Sequence, residues 1–92
     1  MSDDPVARLA EIRGEIDRID GALLKLLEER TKLALEAGEA KAALGRPVHD
    51  PEREAQLLAR ISAQGAGALS PDDLRALWEL LMAATRRAES QR

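Results

Sequence analysis

Residues 9–44 read LAEIRGEIDRIDGALLKLLEERTKLALEAGEAKAAL, and their periodicity decides the fold. Leu9, Ile12, Ile16, Ile19, Leu23, Leu26, Arg30, Leu33, Ala37, Ala40 and Leu44 follow alternating steps of three and four, the heptad seam of one long helix. The pattern predicts a helix from about Pro5 to Leu44, closed by Gly45 and Pro47. Gly14, Gly21 and Gly38 each cost such a helix about 1 kcal/mol against Ala, so the segment depends on packing against a partner.

Two cations interrupt this apolar stripe. Arg30 and Lys41 point the same way, about 16 Å apart along the axis, with Ala34 and Ala37 between them. A single Lys or Arg at a seam position is explained by helix-pair register. Two of them flanking alanines are better explained as a socket for a small anion, because an unpaired buried charge costs several kcal/mol.

Composition narrows the class. The chain has 92 residues, one Trp, no Phe, no Tyr and 34% charged residues, which describes one small domain, residues 1–92, unable to bury an adequate core alone. Self-association is expected. The absence of Cys excludes thiolate chemistry, and one His cannot build a His-rich metal site, so no metal is expected. A net charge of −3 without a basic block or aromatic platform argues against nucleic acid. No apolar run approaches membrane-spanning length and the N-terminal residues are acidic, which reads as a cytoplasmic protein with no membrane partner.

Two shorter helices follow. Asp50-Pro51 is an acidic N-cap with proline at the first helical position, predicting a helix over 50–64 whose inner face is Leu57, Leu58 and Ile61. After a small-residue loop, Ser70-Pro71-Asp72-Asp73 opens a third helix over 70–90, with Leu74, Leu77, Trp78, Leu81 and Met82 on its stripe and Thr85 and Glu89 continuing it. No repeat or strand pattern is present. The fold class is all-α, three helices per chain.

Length then argues for a dimer. A first helix of roughly 60 Å is longer than two short helices can shelter, whereas two such helices running antiparallel would cover each other. Arg13 lies about 33 Å from the Arg30/Lys41 socket of its own chain, too far to join it in cis. In an antiparallel dimer crossing near Leu24 and Lys25, Arg13 of one subunit would reach the other subunit's socket, giving two shared sites.

Other candidates rest on single positions. Arg53 is a cation in the first turn of the second helix, where the macrodipole disfavours it, and a solvated arginine is the plain alternative. Glu54 is either a hydroxyl acceptor or an ordinary surface acid. Asp50 reads first as a cap. Glu89, if it faces the socket, could donate a hydrogen bond when protonated.

Taken in order, Ile12-Arg13, Ile16-Asp17, Ile19-Asp20, Leu26-Leu27-Glu28-Glu29-Arg30, Gly38-Glu39-Ala40-Lys41, Arg46-Pro47-Val48 and Asp50-Pro51-Glu52-Arg53-Glu54 resemble the all-helical chorismate mutases from about Leu9 to Glu89. The resemblance implies an intertwined homodimer that converts chorismate to prephenate without a cofactor, on the route to phenylalanine and tyrosine. It implies that Arg30 and the partner subunit's Arg13 hold the two substrate carboxylates, and that Lys41 binds the ether oxygen and a carboxylate. Arg53 would assist, Glu54 with Asp50 would meet the C4 hydroxyl, and Thr85 would sit where a small hydroxyl residue is common. Glu89 would occupy a position held by Gln or Glu, where only a protonated Glu could donate to the ether oxygen.

Two alternatives frame this reading. Isochorismate pyruvate-lyase has a similar helical fold, but its pattern carries an apolar residue where this chain has Glu54. A non-catalytic helical dimerisation or regulatory module is the more distant one. The sequence leaves open a complex with another enzyme of the aromatic pathway.

Overall fold

Each helix begins on a proline, where a missing N–H costs nothing and φ is already helical. A computed structural model describes residues 4–91; residues 1–3 and 92 lie outside the described residues. Helix α1 spans Pro5–Ala43, α2 Pro51–Gln64 and α3 Pro71–Ser90, with no strand among the described residues. These bounds fall within one residue of those expected from periodicity and caps.

The caps are local chemistry. Asp4 Oδ1 accepts from the Val6 N–H at 3.0 Å, opening α1. Asp50 Oδ1 accepts from the Arg53 N–H at 3.1 Å, and Ser70 Oγ from the Asp73 N–H at 3.1 Å, so α2 and α3 start on side-chain caps. Asp72 and Asp73 also place negative charge in the first turn of α3, where the macrodipole favours it. Gly65, at φ 70°, closes α2 by donating its N–H to the Ile61 carbonyl.

The chain divides into two compact units, residues 1–32 and 33–92. From Pro5 onward the first is a single stretch of α1. Helix α1 contains no buried residue, and Leu9, Ile16, Ile19, Leu23 and Leu26 of its seam are 46–58% exposed. The Arg8–Glu11 and Glu28–Lys32 pairs on its surface are each worth only about 0.3–0.5 kcal/mol.

The second unit holds the end of α1 with α2 and α3. Helices α2 and α3 pack on each other and bury Leu58, Leu74 and Met82, each contributing on the order of 2 kcal/mol. Leu57, Ile61, Trp78 and Leu81 are half-buried around them. Leu77, expected on the inner stripe, is instead 52% exposed. The inner row of α3 runs through Leu74, Trp78, Met82, Thr85 and Glu89, and at 3.6 residues per turn Leu77 falls beside it. Thr85 is buried, and its Oγ1 donates to the Leu81 carbonyl at 2.8 Å. Among the described residues, no helix is long and apolar enough to cross a membrane.

Candidate active site

Lys41 owes its position to the way α1 stops. Gly45 adopts φ 69°, the left-handed conformation that glycine takes without steric cost. The Arg46 N–H then donates to the Lys41 carbonyl at 2.8 Å and the Gly45 N–H to the Ala42 carbonyl at 3.0 Å, the paired bonds of a Schellman cap. The chain passes on through Pro47, and the Lys41 ammonium donates to the Val48 carbonyl at 3.0 Å. A cation in the last turn of a helix is also favoured by the macrodipole. One of the three ammonium protons is thereby committed to the α1–α2 loop.

Glu89 of α3 meets the same ammonium. Its Oε2 lies 3.5 Å from Lys41 Nζ, with the Glu89 side chain 6% exposed and that of Lys41 25% exposed. At that separation the two attract as charges, yet Glu89 Oε2 is buried and has no hydrogen-bond partner. A buried oxygen left without one is uncommon and calls for an explanation. Gly38, one turn before Lys41, makes room for it: a Cβ built at Gly38 would stand 3.4 Å from Glu89 Oε2.

A second cluster lies at the start of α2. Asp50 and Arg53 are exposed and joined through the cap, the Arg53 backbone N–H being the donor. Glu54 is half-buried and bound by Arg86 of α3, whose Nη1 donates to Oε1 and, at 2.7 Å, to Oε2. His49 Nε2 lies 3.7 Å from Glu54 Oε2. Among the described residues, no group of three or more His, Cys, Asp and Glu is placed to hold a metal ion.

The family model for chorismate mutase type II matches residues 12–90, which takes in all of these positions. The chain belongs to that family. A chorismate mutase of Methanocaldococcus jannaschii is 50% identical over 56 residues, 61% of this chain and 57% of that protein, so the chain spans little more than half of that relative. The structure of a chorismate mutase (form II) from Thermus thermophilus is similar at a TM-score of 0.90 and 33% identity, over 92% of this chain and 97% of that one. That of the Helicobacter pylori chorismate mutase in complex with prephenate is similar at 0.85 and 27%, over 92% of each chain.

Of the positions singled out in this type II sequence, Lys41 and Glu89 are brought into contact, Thr85 is buried one turn before Glu89, and Asp50 caps the first turn of α2, which carries Arg53 and Glu54. Arg13 and Arg30 belong to the unit of residues 1–32, Arg13 exposed and Arg30 half-buried. Sequence reasoning missed Val48, whose carbonyl receives Lys41, and Arg86, which holds Glu54. A backbone carbonyl leaves no trace in residue identity. Arg86 does leave one: it lies four residues after buried Met82 and three before Glu89, a cation beside the inner row of α3.

Proposed function

We propose that this chain is a chorismate mutase, rearranging chorismate to prephenate at a site built around Lys41 and Glu89. The carrying observation is the buried Glu89 Oε2, 3.5 Å from the Lys41 ammonium and lacking a hydrogen bond. The Lys41 ammonium held there, with one of its three protons given to the Val48 carbonyl, suits an oxygen on which negative charge grows as a C–O bond breaks. Membership of the type II family and the likeness to the H. pylori structure that holds prephenate support the same reading.

The chemistry asks little of the protein beyond placement and charge. In a Claisen rearrangement the ether C–O bond breaks while a new C–C bond forms, with no proton transferred and no nucleophile required. The enolpyruvyl group must fold over the ring, and the ether oxygen must be stabilised. Arg30 and the Arg13 contributed by the partner subunit would grip the two carboxylates and select the folded conformer, a positioning effect. Lys41 would face the ether oxygen, where one well-placed donor is worth about 3–4 kcal/mol, with Glu89 beside it. Glu54 and Asp50 would accept from the C4 hydroxyl, Arg53 would border a carboxylate, and Thr85 would line the cleft. No cofactor enters this scheme.

The exposed α1 seam supports a homodimer with shared sites. Residues 46–58% exposed along five seam positions form an apolar stripe that a second antiparallel α1 would cover. Such a dimer would bring Arg13 to the partner's Lys41.

The test is a purified-protein assay in which chorismate loss is followed by ultraviolet absorbance, with isochorismate supplied in parallel. Prephenate from chorismate without pyruvate release is the expected result; pyruvate from isochorismate would make the chain a lyase, and inertness toward both would reject an enzyme. Mixing Arg13→Ala with Lys41→Ala subunits tests the shared site. Random exchange leaves one of two sites intact in half of the dimers, so about a quarter of wild-type activity should return. No recovery after demonstrated exchange would refute sharing.

A further inference from the structure

The Glu54 carboxylate is held from the opposite helix by a residue to which the mutase scheme gives no role. Arg86 Nη1 bridges both carboxylate oxygens, tying the first turn of α2 to α3. We propose that Arg86 is a positioning residue for Glu54, fixing the carboxylate so that its remaining lone pairs accept the hydroxyl of the substrate. The proposal rests on the chorismate mutase reading.

The geometry and the chemistry agree. A carboxylate offers about four acceptor directions on its two oxygens, and Arg86 occupies one on each. Capacity for a hydroxyl donor remains. His49 Nε2, at 3.7 Å, is beyond hydrogen-bond distance and does not use it. A free Glu has three side-chain torsions, and ordering them at the moment of binding would weaken the contact with substrate; a guanidinium that orders them beforehand removes that loss. Arg86 needs no further anchor for this. It stands one residue after Thr85, whose hydroxyl is tied to the Leu81 carbonyl, on the turn of α3 that also carries Glu89. Both bonds come from the one nitrogen Nη1, so a lysine could match the charge but would carry its ammonium on a flexible stem rather than on a rigid planar group.

Arg86 also borders an open groove of about 460 Å³, shared with Val48, His49, Arg87 and Ser90. Shortening the Arg86 side chain would open space from that groove toward the carboxylate Arg86 holds, which makes chemical rescue by a small cation a usable readout.

The experiment compares wild type, Arg86→Ala, Arg86→Lys, Glu54→Ala and the Arg86→Ala/Glu54→Ala double variant in steady-state chorismate turnover, with circular dichroism and dimer mass as folding controls. Arg86→Ala should lose up to about a hundredfold in kcat/KM, with the same division between KM and kcat as Glu54→Ala, and Arg86→Lys should recover only part. The double variant should be no worse than Glu54→Ala, and millimolar guanidinium should restore activity to Arg86→Ala but not to the double variant. Multiplying losses in the double variant, or rescue that ignores Glu54, would overturn the positioning role. So would full activity in Arg86→Ala. Wild type that leaves chorismate unchanged would instead reject the mutase reading, and the role of Arg86 with it. Should Arg86→Ala fail to fold, the Arg86→Lys and Glu54→Ala pair carries the same comparison.

Discussion

In residues 1–32 the seam side chains Leu9, Ile16, Ile19, Leu23 and Leu26 stand 46–58% exposed, whereas in residues 33–92 Leu58, Leu74 and Met82 are 8%, 4% and 6% exposed. Both regions are helical and both carry apolar stripes at the same period. What differs is cover. Helices α2 and α3 close on each other within one chain, while the first part of α1 presents a comparable stripe to no element of its own unit. A lone helix of this kind is marginal in water, since nucleation is costly and its surface ion pairs add only tenths of a kcal/mol. One sequence pattern thus forms a core in one region and an exposed stripe in the other, the stripe on which the proposed association rests.

Substitutions in the two regions should separate these purposes. The largest effect is expected at Lys41, which belongs to the self-packed region. Lys41→Ala should lower kcat for chorismate by about 10²–10³-fold, while helical circular dichroism and subunit mass stay unchanged. Retained turnover would remove Lys41 from the chemistry and leave it as a tie to the Val48 carbonyl alone.

A contrast of Ile19→Asp with Leu74→Ala goes to the difference in cover itself. Ile19→Asp puts a charge on the uncovered seam and should dissociate the proposed dimer, giving monomer mass in sedimentation and loss of turnover. Leu74→Ala should destabilise by about 2–5 kcal/mol through the cavity it leaves, with folded molecules still associated. If Ile19→Asp stays dimeric, the seam is not the interface.

A smaller effect is expected when one substitution is made in both regions. Gly14→Ala, where a new Cβ meets nothing within 4 Å, should raise stability by about 0.5–1 kcal/mol in thermal unfolding. Gly38→Ala should give less, because its Cβ would press 3.4 Å from Glu89 Oε2. Equal gains at the two positions would mean that Glu89 moves aside freely.

Helix starts are written in adjacent residues, as in Asp4-Pro5, Asp50-Pro51 and Ser70-Pro71, because a cap is satisfied within three positions. Asp50 is legible as a cap for the same reason. Lys41 and Glu89 stand out because each is a charge where periodicity calls for an apolar residue. Leu77 departs from expectation: its period fits the stripe, but the way α3 meets α2 favours the row through Trp78 and Met82.

The amino-acid order alone was enough for the three helices and their ends, since these follow from i to i+4 spacing and local capping that no distant residue alters, and the order of its motifs carried the resemblance to the family. Which charges meet came only with the folded chain: Lys41 with the Val48 carbonyl and Glu89, and Glu54 with Arg86 rather than with a nearer cation. Those pairings depend on how α3 lies against α2 and on how the Gly45 turn aims the following loop. Ångström-scale placement of that kind is set by packing, and periodicity does not encode it.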